Sequence, residues 1–202
     1  DKYKIGLYEK AMKNTLSWKE KLQCAKECGY DYLEISIDAT DEKINRIFMD
    51  KEEIKEIMEA VFETEIPIGS MSVSALTKYA LGDPSETVRE KAMQIAGKSI
   101  ELASVLGVRT VMIPGYDIYY GESTVETKRF FLENVKKIAE IAEQEGILVG
   151  FETMENNFMN TTGKAVQYVN MVDSAYLKIY PDAGNITNAA VANKHDVCED
   201  LS

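Results

Sequence analysis

Short apolar segments alternate with longer amphipathic segments along the whole chain. The apolar segments are residues 4–8, 32–37, 66–73, 110–114, 147–153 and 177–180. Their mid-points lie about 30 to 40 residues apart, which suits one strand, one helix and two loops per repeat. A 3.6-residue apolar period predicts a helix stripe at Val88, Ala92, Ile95, Ala96, Ile100, Ala103 and Leu106. The pattern predicts six βα units with a parallel sheet.

Helix boundaries are marked by capping residues. Residues 17–20, 50–53, 83–86 and 123–126 each predict a capping box, in which a Ser or Asp side chain and a glutamate three residues later satisfy each other's backbone N–H groups. Pro84 strengthens the third box, because the first helical residue needs no N–H partner. Gly29, Gly107 and Gly146 each precede a strand segment and predict left-handed helix ends.

Six βα units fit either a doubly wound open sheet or a (β/α)8 barrel. The loop after the first strand, residues 8–12, lacks the Gly-x-Gly-x-x-Gly pattern of a dinucleotide fold. Polar residues instead follow the strand ends, where a barrel builds its active site: Glu34, Asp38, residues 70–74, Tyr116, Asp117, Glu152 and Asp182. We therefore expect an α/β fold, a (β/α)8 TIM barrel truncated here to about six βα units. Residues 1–202 would form a single domain that lacks the last two units and stops inside the sixth helix.

Charge and hydropathy exclude several classes of protein. The chain has 34 acidic and 23 basic residues, a net charge of −11, which disfavours binding to nucleic acid. Its apolar runs are far shorter than the roughly 18 to 20 residues of a membrane-spanning helix, so no membrane contact is expected. The N-terminal residues enter a strand pattern without the apolar core of a secretory signal, which favours a cytoplasmic location.

The three cysteines allow two interpretations. Cys24 and Cys28 are one helical turn apart, and Cys198 is distant from both in the sequence. They could form a redox or metal-binding pair, or they could be small apolar side chains on a helix. The second interpretation is favoured, because no further Cys or His cluster completes a zinc site.

Two strand-end carboxylates are candidates for metal ligands. Glu152 ends an otherwise apolar strand, and Asp182 lies at the equivalent edge of the next strand. Adjacent parallel strands are about 4.8 Å apart, so the two side chains could share one divalent cation. Alternatively, each caps the following helix or pairs with a lysine.

Six blocks of sequence resemble one family of enzymes. Residues 5–11, 14–18, 28–38, 114–120, 158–160 and 180–185 look like the L-ribulose-5-phosphate 3-epimerases of the xylose-isomerase-like TIM-barrel group. The same family is also called L-xylulose-5-phosphate 3-epimerase and has been labelled hexulose-6-phosphate isomerase. The resemblance extends over essentially the whole chain.

The resemblance implies one divalent ion, Zn, Mn, Co or Mg, held by a Glu, an Asp, a His and a second Glu from four consecutive strands. Glu152 matches the first ligand, which is also one of two catalytic carboxylates, and Asp182 matches the second. Glu34 and Asn185 match positions that touch the sugar, although a lysine partner for Glu34 is an equal alternative. The other two ligands would lie on strands seven and eight. A small ketose phosphate is the implied substrate, and a homodimer is a candidate assembly.

The implied reaction is epimerisation at C3 through an enediolate that the metal stabilises. One glutamate removes the C3 proton, and a different acid returns a proton to the opposite face. An aldose–ketose isomerase would use the same groups to move a proton between C1 and C2. A truncated, non-catalytic barrel fragment is a further alternative. A DNA-repair nuclease on the related barrel is disfavoured by the acidity and the single histidine.

Two positions depart from the expected family pattern. Leu76 occupies a position where the family is expected to carry a histidine that helps to hold the substrate. His195 is the chain's only histidine, and it lies in a polar segment beyond the sixth strand. We expect His195 to be exposed or to cap a helix rather than to bind metal.

Overall fold

Six parallel strands form one sheet in the computed structural model, which describes residues 3–194 and 196–201. The strands are β1 (Gly6–Tyr8), β2 (Tyr32–Ser36), β3 (Ile68–Ser72), β4 (Thr110–Pro114), β5 (Leu148–Glu152) and β6 (Leu177–Tyr180). Each strand pairs with the next one along the chain, in the order β1-β2-β3-β4-β5-β6. A doubly wound sheet would reverse its order at a switch point. The predicted barrel-type architecture of about six βα units is therefore confirmed.

Helices connect the strands and cover one face of the sheet. They are α1 (Trp18–Glu27), α2 (Asp41–Asn45), α3 (Lys51–Thr64), α4 (Glu86–Val105), α5 (Val125–Glu145), α6 (Thr162–Val172), α7 (Ala183–Asn193) and α8 (Val197–Leu201). Short 3-10 turns occupy Glu9–Ala11, Arg46–Phe48 and Ser74–Thr77. Among the described residues, every helix is too short or too polar to cross a membrane.

Several predicted helix boundaries are confirmed. Ser17 and Asp50 form complete capping boxes with the glutamates three residues later. Gly29, Gly107 and Gly146 have φ angles of 81°, 73° and 67°, the left-handed backbone that glycine adopts without a steric penalty. The predicted stripe of α4 is also correct, because six of its seven members, from Ala92 to Leu106, are buried.

Two predicted helix starts are wrong by one or two residues. The Asp83 carboxylate accepts a hydrogen bond from the Ser85 N–H at 2.8 Å and forms a turn, so Pro84 precedes the helix and Ser85 is its N-cap. At α5 the cap is Thr124, whose box is completed by Thr127 instead of a glutamate. At α5 the neighbouring hydroxyl of Thr124 caps the helix instead of Ser123, whereas at α4 the Ser85 side chain makes no capping hydrogen bond and the Asp83 turn sets the start.

The cysteines of α1 are free thiols. Cys24 is half-buried, and Cys28 is exposed at the C-cap of the helix. Cys198 is also free and exposed. The structure thus shows no disulfide for these three residues.

The sheet is strongly curved, and its two faces differ in chemistry. The outer face packs under the helices through fully buried side chains such as Leu33, Ile35 and Phe151. On the inner face, the Tyr180 hydroxyl of β6 donates a hydrogen bond to Glu34 of β2 at 3.1 Å. These two strands are separated by three others, so the contact requires the sheet to curl. Polar groups are therefore gathered inside the curve.

A buried ion cluster fixes the turn that follows β1. The Glu9 carboxylate is completely buried and contacts Lys21 at 2.7 Å, Lys43 at 2.6 Å and Arg46 at 2.6 Å. It also accepts a hydrogen bond from the Ser36 N–H at 2.9 Å. Burial alone would raise the pKa of Glu9, but the hydrogen bonds and charges of Arg46, Lys21 and Lys43 hold that pKa well below its usual range.

We expect Glu9→Gln to lower the free energy of unfolding by about 3 to 5 kcal/mol, because three buried cations would lose their counter-charge. Chemical denaturation measured by circular dichroism would report the change. Glu63→Gln is the matched control, since Glu63 also has a 2.6 Å ion pair, with Lys19, but that pair is exposed. The control should change stability by less than about 1 kcal/mol. Equal losses in the two variants would contradict the interpretation.

Candidate functional site

Glu152 lies at the C-terminal end of β5, on the inner face of the sheet. Its neighbour Phe151 packs against Phe131 of α5 with ring centroids 5.6 Å apart. Because successive strand residues alternate between faces, Glu152 faces away from the helices. Glu152 is in register with Tyr180 of β6 and Pro114 of β4. The strand pairing thus sets the carboxylate between two neighbouring strand ends.

Asp182 begins α7, two residues beyond β6. Its carboxylate accepts a hydrogen bond from the Asn185 N–H at 2.7 Å, so it caps the helix as one of the sequence alternatives anticipated. The Asp182 N–H donates to the Thr153 hydroxyl at 2.9 Å, and the Asn185 amide donates to the Thr153 carbonyl at 2.9 Å. These bonds tie the loop after β6 to the end of β5. Asp182 and Asn185 are therefore held beside Glu152.

The negative charge of the Glu152 carboxylate is poorly balanced by the residues around it. Burial, followed by the negative charges of Asp182, Glu34 and Glu155, raises the pKa of Glu152 to about 7, while Lys10 acts in the opposite direction. Within the described part of the chain, its carboxylate has neither a hydrogen-bond partner nor an ion pair. An acid in this position is set to take up either a proton or a cation.

Glu34 lies deeper on the inner face, on β2. Its Oε2 atom accepts hydrogen bonds from the Ser70 hydroxyl at 2.6 Å and from the Tyr180 hydroxyl at 3.1 Å. No lysine of the described residues forms an ion pair with it, so the predicted lysine alternative is wrong. Burial and the charge of Glu34 raise the pKa of Tyr180, which therefore remains a neutral donor. Two hydroxyl groups thus fix the orientation of Glu34.

Lys10 is the cation that acts on Glu152 from the turn after β1. Its ammonium group donates a hydrogen bond to the Ser74 hydroxyl at 3.2 Å and lies 3.5 Å from the Asp38 carboxylate. Lys10 cannot be recognised from the sequence alone, because a single loop lysine has no spacing that distinguishes it from a solvated surface charge. Its position depends on the neighbouring Glu9, which the ion cluster anchors.

The donor set fits part of a site for a divalent metal ion. Glu152 and Asp182 provide oxygen ligands from adjacent strand ends, and the surplus of acids favours a cation. The described residues contain no group of three or more His, Cys, Asp or Glu side chains arranged to hold a metal. His195 lies outside the described residues. Leu76, at the predicted histidine position, is 2% exposed in the turn after β3 and provides no polar group.

The chain matches a known family over most of its length. Residues 22–199 match the family model described as xylose isomerase-like TIM barrel. The protein SgbU of Escherichia coli strain K12 is 37% identical over 185 residues, which are 92% of this chain and 65% of that protein. L-ribulose-5-phosphate 3-epimerase UlaE of Escherichia coli O139:H28 is 34% identical over 183 residues, 91% of this chain and 64% of UlaE. The chain therefore spans less than two thirds of the length of these curated relatives.

Solved structures share the fold at lower sequence identity. The structure of D-psicose 3-epimerase from Clostridium cellulolyticum H10 with D-tagatose superimposes with a TM-score of 0.77 and 19% identity. The match covers 92% of this chain and 65% of that one. It supports the barrel-type architecture described above.

The raised pKa of Glu152 predicts a pH-dependent stability. Between its ordinary pKa of 4.5 and about 7, the folded protein retains a proton that the unfolded chain has released, so folding stability falls as the pH rises through this window. In metal-free protein, Glu152→Gln should remove this penalty. We expect the melting temperature of Glu152→Gln to exceed that of the wild type increasingly from pH 4.5 to pH 7, with a constant gap above.

Thermal melts in chelator across this pH range would measure the effect. Glu122→Gln, at an exposed position, should give a curve parallel to the wild type. A Glu152→Gln curve that is also parallel to the wild type would show that Glu152 has an ordinary pKa.

Proposed function

The chain belongs to the xylose isomerase-like TIM-barrel family, and from that membership we propose that it is a sugar-phosphate epimerase. In this proposal it interconverts L-ribulose 5-phosphate and L-xylulose 5-phosphate at C3. The identity with UlaE supports the substrate class. The observation that carries the chemistry is the half-buried, uncompensated carboxylate of Glu152 at the inner edge of the sheet.

Glu152 acts as the base that removes the C3 proton. A carboxylate of ordinary pKa is a weak base, and efficient proton transfer at neutral pH favours a pKa near 7. In the metal-free protein, burial and the surrounding acids raise the pKa of Glu152 to about 7, and a bound cation would lower that pKa. The carboxylate has no hydrogen-bond donor in the described structure that would compete for its lone pairs. Inversion requires that a second acid deliver a proton to the opposite face of the substrate.

Glu152 and Asp182 would hold one divalent ion, Zn, Mn, Co or Mg, which supplies Lewis-acid polarisation of the ketose carbonyl when it is bound. Glu34 and Asn185 would orient the sugar. Glu34 is fixed by the Ser70 and Tyr180 hydroxyls, and Asn185 is fixed through Thr153. These four side chains converge from β2, β5 and the start of α7 on one end of the sheet.

The proposal places a small ketose phosphate, and not a polyanion, at this site. The net charge of −11 opposes nucleic-acid binding. We propose a cytoplasmic enzyme, with a second copy of the chain as its candidate partner. The following tests use the protein at its full natural length.

Epimerase activity should be detectable with L-ribulose 5-phosphate in deuterated water, with deuterium entering the product at C3. Glu152→Gln should lower kcat by about 10²- to 10⁴-fold, because it removes the base. Glu122→Gln should retain wild-type turnover. Nuclear magnetic resonance of the product locates the label. Label at C1 would instead identify an aldose–ketose isomerase, and no turnover of ketose phosphates would reject both reactions.

Asp182→Asn should weaken binding of the divalent ion by at least about tenfold, since a neutral amide is a poorer ligand than a carboxylate. Asparagine caps helices as well as aspartate does, so α7 should remain intact. Competition between the protein and a fluorescent chelator for Mn²⁺ would measure the affinity. An unchanged affinity would remove Asp182 from the metal site.

A further inference from the structure

The loop between β4 and α5 is anchored at two residues near its start, Gly115 and Asp117. The Gly115 N–H donates to the Glu152 carbonyl at 3.0 Å, and a Cβ atom at Gly115 would lie only 2.6 Å from that oxygen. Asp117 is completely buried, and its Oδ2 atom accepts hydrogen bonds from the Ser123 and Thr127 hydroxyls at 2.6 Å each. The residue between these two anchors, Tyr116, therefore has a fixed backbone.

Tyr116 presents a buried phenol beside the proposed base. The side chain is 3% exposed, and its hydroxyl donates a short hydrogen bond to Oε2 of Glu155. Its ring contacts Tyr119 edge to face, with centroids 4.9 Å apart. Burial and the acceptor Glu155 raise the pKa of Tyr116, so it stays a neutral donor. The phenol thus fixes one oxygen of Glu155.

Glu155 is an exposed acid in the loop that follows β5. The loop closes on itself through the hydrogen bond from the Met154 N–H to the Met159 carbonyl at 2.8 Å. In the described chain, Oε1 of Glu155 has no hydrogen-bond donor. The charge of Glu155 also acts on Glu152. The uncharged Tyr116 hydroxyl thus holds the Glu155 carboxylate close to Glu152. One oxygen of Glu155 is left without a donor among the described residues.

We propose that Glu155 is a substrate-binding residue that accepts a hydrogen bond from a sugar hydroxyl and that Tyr116 is its positioning residue. The inference rests on the proposed epimerase function. In a ketopentose 5-phosphate, C2 and C3 take part in the reaction and C5 carries the phosphate. The hydroxyls at C1 and C4 remain for recognition. A carboxylate acceptor selects for such a hydroxyl, because a ligand without it leaves the acceptor unpaired.

A cycle of variants and deoxy substrates tests the proposal. Glu155→Ala should raise KM for L-ribulose 5-phosphate about ten- to hundredfold while kcat changes less than about threefold, as expected for loss of a hydrogen bond to a charged group. With the 1-deoxy or the 4-deoxy analogue, whichever lacks the contacted hydroxyl, wild type and Glu155→Ala should have equal KM values. The proposal is overturned if Glu155→Ala raises KM by the same factor with both analogues, or if it leaves KM for the natural substrate unchanged.

Tyr116→Phe should raise KM in the same direction, since it removes the hydrogen bond that holds Glu155. Tyr120→Phe is the matched control, because Tyr120 is 77% exposed and belongs to the same loop. Glu122→Ala controls for loss of an exposed acid nearby. A Tyr116→Phe variant with a lowered melting temperature but an unchanged KM would identify the pair as a loop fastening only and would overturn the positioning role.

Failure of this inference can be separated from failure of the proposed function. Absence of turnover in the wild type would reject the epimerase proposal. Binding of the ketose phosphate and its two deoxy analogues would then be measured by saturation-transfer nuclear magnetic resonance. If Glu155→Ala binds the natural ketose phosphate more weakly than the wild type does, and if this difference disappears with one of the two analogues, the contact would still be supported. Equal binding by wild type and variant would reject it.

Discussion

Repulsion among carboxylates at one end of a parallel sheet is the constraint that governs the candidate site. Parallel pairing brings the carboxyl ends of the strands to a single edge, and here that edge carries Glu152, Glu155 and Asp182, with Glu34 deeper on the inner face. Three of these four acids have hydrogen-bond partners: hydroxyl groups at Glu34, the helix N-terminus at Asp182 and the Tyr116 phenol at Glu155. Glu152 has no such partner among the residues that the structure describes, so the cost of bringing these negative charges together raises the pKa of the carboxylate that is proposed as the base.

The ion cluster around Glu9 shows the opposite balance of charge. One buried carboxylate serves three cations there, and Trp18 covers two of them, with Lys21 at 4.9 Å and Arg46 at 4.7 Å from its ring. Such contacts are strong in a site that is removed from water. The cluster joins the turn after β1 to α1, to β2, to α2 and to the 3-10 turn that follows α2. Because Lys10 is the next residue along the chain, the ion cluster helps to position the cation whose charge lowers the pKa of Glu152.

Sequence patterns predicted the features of the fold that depend on residues close together in the chain. The strands, the glycine helix ends and the pair Glu152 and Asp182 follow from periodicity and from the geometry of parallel strands. The predicted helix starts near Pro84 and Ser123 were wrong, because Asp83 closes a turn before α4 and Thr124 takes the cap of α5 from its neighbour. Contacts such as that between Glu34 and Tyr180 depend on how far the sheet curls, and that curvature is a property of all six strands together. The sequence identifies Tyr116 as a polar residue at a strand end, but its contact with Glu155 depends on the closure of a separate loop.

The succession of the strands also bears on how the chain reaches this structure. Since each strand after β1 pairs with the strand that precedes it in the chain, the sheet can grow from its N-terminal side, although parallel pairing across an intervening helix is intrinsically slow. The bond between Glu34 and Tyr180 is the exception, because it spans 146 residues. We expect this hydrogen bond to form only after β6 has docked, so that the polar contacts of the inner face are completed at the last stage of folding.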